Sequence, residues 1–149
     1  MAEVPVLALD GPGGSGKGTV ASRIAMLRHW RILDSGALYR AFAFSAQKLG
    51  VLPDDLLGIQ RILAETDFDF VVEKTGEVII LVNGNDVTTA LRSPDAGLAA
   101  STYASQQSVR ECLIARQRFE RQAPGLVADG RDMGTVVFPD ATLKVFLTG

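Results

Sequence analysis

A glycine-rich segment between a short apolar stretch and a helical one restricts the fold of this chain more than any other feature. The segment consists of Gly11, Pro12, Gly13, Gly14, Ser15, Gly16, Lys17, Gly18 and Thr19. It follows an apolar stretch at residues 4–9 that is typical of a strand buried on both faces. Apolar residues then recur at helical spacing: Val20, Ile24 and Leu27. A strand, a glycine turn and a helix in this order predict a loop that binds phosphate groups.

The chemistry of this loop depends on backbone N–H groups and on one lysine. Glycines let successive N–H groups turn toward phosphate oxygens, the helix points its positive end at them, and Lys17 adds a full charge. Gly18 replaces the Ser or Thr that usually follows this lysine, so Thr19 or water would hold Mg²⁺. Asp129, which ends a later apolar strand, is a candidate to orient that metal directly or through water. The alternatives are an Asp that only forms a turn and a glycine turn that binds nothing, although the latter leaves Lys17 unexplained.

The rest of the chain alternates between strands and helices. Apolar runs predict further buried strands at residues 31–33, 126–129 and 143–147. Helices are predicted over residues 36–49, 56–65 and 106–122, and another begins at Ser93. Residues 68–72 and 78–82 alternate instead, which predicts a small antiparallel insertion between Phe68 and Thr89. Strands separated by helices imply an α/β fold with a parallel sheet.

Composition excludes several classes of protein. The net charge is -2, so no global basic field is available to bind nucleic acid. One Cys and one His allow neither an internal disulfide nor a Cys/His metal cluster. No apolar run approaches the roughly 18 residues of a membrane span, and no basic region precedes the first apolar stretch as in a signal peptide. We therefore expect a soluble cytoplasmic protein with no membrane or nucleic-acid partner.

Three motifs together resemble those of a known family. The Gly-Lys-Gly-Thr loop is similar to that of the nucleoside monophosphate kinases. Two longer segments resemble the bacterial cytidylate kinases: Asp-Ser-Gly-Ala-Leu-Tyr-Arg at residues 34–40 and Ala-Asp-Gly-Arg-Asp-Met-Gly-Thr-Val-Val-Phe-Pro-Asp at residues 128–140. The resemblance runs from Leu7 to the last residue. It implies one P-loop kinase domain over residues 1–149, with three α/β/α layers, a parallel central sheet and an antiparallel β insertion in a monophosphate-binding region at residues 66–105.

The resemblance implies transfer of the ATP γ-phosphoryl group to CMP or dCMP, with Mg²⁺ as the metal. Two polyanions must meet, and unit charges about 4 Å apart repel by about 4 kcal/mol at an effective dielectric constant near 20. The catalytic cations that it implies are Lys17, Arg40 and Arg131, whose guanidinium groups suit a phosphate. Ser35 and Tyr39 would line the same pocket. Without the resemblance, Ser35 is a helix cap, Tyr39 a core residue and Arg40 a solvated helix residue.

The resemblance also implies a site for the base. Asp132 would accept a hydrogen bond from the exocyclic amino group of cytosine. Arg110 would donate to the acceptor edge of the base, and Ser101 would assist. The helix of Arg110 carries further arginines, and such a stripe is more commonly a solvated face.

Cytidylate kinases continue past residues 143–147 into an arginine-rich lid and a further strand, neither of which is in this sequence. We therefore expect weak or no turnover by this chain, and a catalytically inactive nucleotide-binding fragment is the alternative to an active kinase. The intact family is expected to be monomeric, whereas an exposed edge at residues 143–147 would let this chain self-associate. A regulatory GTPase fits poorly, because residues 83–86 lack the lysine of a guanine-specificity motif. An adenylate kinase would share only the phosphate loop.

Overall fold

The protein is described here by a computed structural model that covers residues 3–13 and 15–148. The strands are β1 (Val6–Asp10), β2 (Arg31–Asp34), β3 (Phe68–Val72), β4 (Val78–Val82), β5 (Asn85–Asp86), β6 (Leu126–Gly130) and β7 (Leu143–Phe146). The helices are α1 (Lys17–Arg28), α2 (Ser35–Lys48), α3 (Leu56–Glu65), α4 (Thr88–Leu91), α5 (Pro94–Ala104) and α6 (Gln107–Arg118), and a π-helical turn spans Met133–Val137. Within the described ranges, none of the helices is long and apolar enough to cross a membrane.

The chain divides into two compact units, of which the first contains the glycine-rich loop. This first unit comprises Met1–Ser35, Phe70–Val78 and Gln117–Gly149, and the second comprises Gly36–Asp69 and Ile79–Arg116. A parallel sheet with strand order β2-β6-β1-β7 forms the centre of the first unit. All residues of β1 and β6 are buried, as their continuous apolar runs predict. The predicted α/β fold with a parallel sheet is therefore confirmed.

Helix α1 is confirmed, and Ile24 packs partly buried against the core, but the other two apolar residues that predicted the helix are exposed. Val20 is 40% exposed and Leu27 is 81% exposed. The residues that pack against the sheet are instead the small Ala21 and Ala25, which belong to a buried cluster with Leu9 of β1. Small side chains let the helix approach the sheet closely, and this packing overrides the apolar periodicity of the sequence.

The second unit contains α3, α4 and α5, together with most of α2 and of α6. Phe42 of α2 packs edge-on against Tyr103 of α5, with ring centroids 5.8 Å apart. The Tyr103 hydroxyl donates a hydrogen bond to the Val51 carbonyl, which fixes the segment between α2 and α3. Ser93 caps α5 by accepting a hydrogen bond from the Ala96 N–H at 3.2 Å, as predicted. Strands β3, β4 and β5 form a small sheet in that order, and β5 runs antiparallel to β4.

Two predicted elements differ from those in the structure. The helix predicted to continue to residue 122 ends at Arg118, because the N–H groups of Glu120 and Arg121 donate three residues back and tighten the chain into turns. The apolar run at residues 143–147 predicted a buried strand, but β7 lies at the edge of the sheet, where Leu143 is 58% exposed and Phe146 is 61% exposed. The exposed edge that the family resemblance predicted at these residues is therefore confirmed. Self-association through this edge stays a prediction.

A close approach between Gly125 and Trp30 gives a prediction about stability. A Cβ atom on Gly125 would lie 2.4 Å from the Trp30 ring, and the Gly125 carbonyl accepts a hydrogen bond from the Arg31 N–H at 3.0 Å. Because neither the ring nor the paired backbone can move away easily, we expect Gly125→Ala to cost about 1–3 kcal/mol in the free energy of unfolding. Urea unfolding measures this loss. The same substitution in a Trp30→Leu background should cost much less, and an equal cost in both backgrounds would contradict the steric explanation.

Candidate functional site

The glycine-rich loop joins β1 to α1 in a conformation that requires glycine at two positions. A Cβ atom on Gly11 would lie 2.7 Å from the Leu147 carbonyl oxygen, and Gly16 has a φ of 86° in the left-handed region. Pro12 and Gly13 are exposed. Gly14, which the sequence also assigns to this loop, lies outside the described residues.

This loop leaves polar groups available for an anion. The Ser15 hydroxyl is buried and has no hydrogen-bond partner within residues 3–13 and 15–148. Helix α1 begins at Lys17 with no side-chain cap on its N-terminal N–H groups and no acidic residue in its first turn. A buried hydroxyl and uncapped N–H groups beside a lysine fit the phosphate groups of a nucleotide.

Lys17 and Asp129 form an ion pair inside the first unit. The Lys17 Nζ atom lies 2.8 Å from Asp129 Oδ1, and the side chains are 18% and 6% exposed. Asp129 belongs to β6, whose other residues are buried as well. Each charge therefore compensates the other in a place that water reaches poorly.

The residues predicted to hold the metal suit an ion that arrives with a nucleotide. Thr19 is exposed in the first turn of α1. A Cβ atom on Gly18 would lie 3.7 Å from Asp129 Oδ2, so the Asp129 carboxylate reaches the start of this helix. In the part of the chain that the structure describes, no three His, Cys, Asp or Glu side chains converge on a metal position. One carboxylate and one hydroxyl fit Mg²⁺, which keeps several waters and is bound largely by substrate phosphates.

Three further predicted site residues lie in the first unit, close to the carboxyl end of β6. Ser35 is buried beside Gly130, where a Cβ atom would lie 2.6 Å from that of Ser35. Arg131 and Asp132 follow β6 and are exposed. Asp132 has a φ of 58° and a ψ of 27°, a left-handed conformation that is uncommon outside glycine and that Asp and Asn adopt more readily than other residues.

One residue of this region, Asp10, is not among the predicted site residues. It directly follows the apolar stretch at residues 4–9, and its carboxylate is buried and accepts hydrogen bonds from two backbone N–H groups. Met133 N donates to Oδ1 at 2.7 Å, and Gly134 N donates to Oδ2 at 2.9 Å. The available signal was an acidic residue at the last position of an otherwise apolar strand, directly before Gly11.

The remaining predicted site residues lie in the second unit. Arg40 is not simply a solvated helix residue, because its Nη1 donates a hydrogen bond to the Leu91 carbonyl at 2.9 Å. Burial raises the pKa of the Tyr39 hydroxyl, and the nearby Arg110 guanidinium opposes that shift. Tyr39 therefore stays protonated at neutral pH.

The two residues predicted for the base in this unit are exposed. Arg110 lies on α6, and its Nη1 donates a hydrogen bond to the Ala104 carbonyl at 2.7 Å. Ser101 lies on α5. The second unit thus brings Arg110 close to Tyr39, and the first unit brings Lys17 to Asp129.

A family model and individual proteins of known sequence both match this chain, and the two comparisons agree. A family model described as "Cytidylate kinase" matches residues 7–149. A protein named cytidylate kinase from Pseudomonas entomophila (strain L48) is 52% identical over 148 residues, which cover 98% of this chain and 64% of that protein. Cytidylate kinases of Pseudomonas paraeruginosa (strain DSM 24068 / PA7) and Stutzerimonas stutzeri (strain A1501) are each 52% identical over 149 residues. These matches cover 99% and 97% of this chain, and 65% and 64% of the two relatives. The chain therefore spans less than two thirds of their length.

Proposed function

Because the chain belongs to the cytidylate kinase family, we propose that it binds ATP at its glycine-rich loop and a cytidine monophosphate as acceptor. The proposed reaction transfers the γ-phosphoryl group of ATP to CMP or dCMP and gives ADP with CDP or dCDP. The observation that carries the ATP assignment is the buried Ser15 hydroxyl, which has no partner among the described residues, beside the N-terminus of α1, which no side chain among those residues caps.

The residues around the loop would bind the donor nucleotide. The N–H groups at the start of α1 and the Ser15 hydroxyl would donate hydrogen bonds to phosphate oxygens, and Lys17 would supply a positive charge. The Lys17 ammonium group carries three donors, so a phosphate oxygen would share it with Asp129 or replace Asp129 as its partner. When bound, Mg²⁺ would neutralise charge on the phosphate groups, with Asp129 and Thr19 as its protein contacts, directly or through water.

A second set of residues would bind the acceptor nucleotide. Arg40 and Arg131 are proposed to hold its phosphate, because a guanidinium can make two parallel hydrogen bonds to phosphate oxygens. The Tyr39 and Ser35 hydroxyls can donate further hydrogen bonds to the same group. No general base is needed, since positioning and charge stabilisation account for most of phosphoryl transfer.

The base of the acceptor is proposed to meet three side chains. The Asp132 carboxylate accepts hydrogen bonds and donates none, so it suits the amino group of cytosine and disfavours the carbonyl of uracil. Arg110 would donate to the ring acceptors, and Ser101 would assist. We propose that residues 66–105 form the monophosphate-binding segment of a single kinase domain.

Thermal unfolding with single nucleotides tests this proposal. Ligand at a hundred times its dissociation constant stabilises a folded chain by about 2.7 kcal/mol, which shifts Tm by several degrees. We expect CMP, dCMP and ATP with Mg²⁺ to raise Tm, and AMP and UMP at equal concentration to raise it less. A cooperative transition that no nucleotide moves would contradict the proposal.

Turnover separates the proposed enzyme from the alternative, a chain that binds nucleotides without reacting them. The readout is CMP-dependent formation of ADP from ATP. Rates of about 1–100 per second are typical of kinases and would support an active enzyme. Binding of CMP and ATP without turnover would support the alternative.

A further inference from the structure

The carboxylate of Asp10 holds the backbone at the start of the π-helical turn. Its two oxygens accept separate hydrogen bonds, from Met133 N at 2.7 Å and from Gly134 N at 2.9 Å. All three residues are buried. A charged acceptor that satisfies two buried N–H groups makes stronger hydrogen bonds than a neutral one, and this arrangement fixes both the position and the direction of the turn.

The residues directly before this turn are Arg131 and Asp132. Asp132 is left-handed, with a φ of 58°, and it immediately precedes the first N–H group that Asp10 holds. Such a conformation is uncommon outside glycine, although Asp and Asn adopt it more readily than other residues, and surrounding contacts help to hold it. The two hydrogen bonds to Asp10 are contacts of this kind.

The backbone of Asp10 is fixed independently of its side chain. Asp10 pairs with Gly130 of β6 and with Phe146 of β7, and its carbonyl accepts a hydrogen bond from Leu147 N at 2.8 Å. The next residue is Gly11, the first of the phosphate loop. A change limited to the Asp10 carboxylate should therefore disturb the turn while the sheet still anchors the start of the loop.

We propose that Asp10 is a positioning residue for the acceptor nucleotide: through the N–H groups of Met133 and Gly134 it sets the direction of Arg131 and Asp132. This inference rests on the proposed function, because it assumes that Arg131 and Asp132 bind the phosphate and the base of CMP. In this role Asp10 acts through the turn and needs no contact of its own with the nucleotide.

The test is Asp10→Asn, which keeps the size of the side chain but replaces one acceptor oxygen with an NH₂ group. One of the two backbone N–H groups then faces another donor, and the turn shifts. Isothermal titration with CMP, UMP and ATP should show a CMP Kd raised by about tenfold to a hundredfold, as for other small displacements of binding groups. The preference for CMP over UMP should fall, and the Kd for ATP should stay unchanged.

Two further variants exclude a purely structural effect. Asp55→Asn is the matched control, since the Asp55 carboxylate accepts from Gly58 N at 3.0 Å in the second unit, outside the proposed monophosphate-binding segment, and it should leave all three Kd values unchanged. Asp10→Glu keeps both acceptor oxygens on a longer side chain. We therefore expect this variant to fold even if Asp10→Asn does not. It should still weaken CMP binding, because the turn is pushed outward.

The possible outcomes distinguish an error in the role of Asp10 from an error in the proposed function. Equal weakening of CMP, UMP and ATP binding, or a lower Tm with an unchanged CMP Kd, would overturn the role of Asp10 and leave the proposed function intact. If the unaltered chain bound no cytidine nucleotide, the proposed function would be wrong, and the role of Asp10 would be wrong with it.

Discussion

Replacing Lys17 with methionine is expected to lower the free energy of unfolding by about 3–5 kcal/mol at pH 7. The Lys17 Nζ atom lies 2.8 Å from a carboxylate oxygen of Asp129, whose side chain is only 6% exposed. Methionine keeps the length of the side chain but removes its charge, so Asp129 remains as an uncompensated charge within a buried strand. The loss appears as a lower midpoint of urea unfolding at an unchanged slope. The variant should also bind ATP more weakly.

A double-mutant cycle shows whether the ion pair causes this loss. Asp129→Asn removes the uncompensated carboxylate charge. The double variant Lys17→Met/Asp129→Asn should therefore be more stable than Lys17→Met alone. Arg61→Met is the matched control, because the Arg61–Glu65 pair at 3.2 Å is 77% and 66% exposed, and its loss should cost no more than about 0.5 kcal/mol. If the double variant were less stable than Lys17→Met, the ion pair would not be the reason for the loss.

Local signals were sufficient to predict most of the fold. Helix α3 has the predicted bounds, since its apolar periodicity is preceded by Asp55, which caps it by accepting from Gly58 N at 3.0 Å. The hairpin strands β3 and β4 coincide with the alternating segments on both sides of Gly76. In each case the signal lies within the element itself or next to it.

Contacts between distant residues could not be predicted in the same way. Asp10 and Met133 are 123 positions apart, and nothing near Asp10 in the sequence shows which N–H groups its carboxylate will accept from. Lys17 and Asp129 were both singled out, but for a phosphate and a metal, and their direct ion pair became visible only in the structure. The exposure of β7 likewise depends on which strands lie beside it, not on its own apolar residues.

The second large effect is expected on the choice of base. Asp132→Asn should reduce the preference for CMP over UMP by about 1–3 kcal/mol, a factor of about 5 to 150 in the ratio of their dissociation constants. The proposed reason is that a carboxylate only accepts hydrogen bonds, whereas an amide can turn its NH₂ group toward the uracil carbonyl. Asparagine is the appropriate replacement, because it tolerates the left-handed conformation that Asp132 adopts with a φ of 58°.

Isothermal titration of CMP, UMP and ATP against the unaltered chain and the variant measures this change. ATP binding should not change, since the proposed ATP contacts are at the glycine-rich loop. Asp140→Asn is the matched control: Asp140 is also exposed in the first unit, but its carboxylate is held by Arg121 Nη1 at 2.9 Å and has no proposed contact with a base. If the ratio of CMP to UMP affinity were unchanged in Asp132→Asn, Asp132 would not be a residue that recognises the base. The selectivity would then have to come from Arg110 and Ser101, which Arg110→Ala and Ser101→Ala would test by the same ratio.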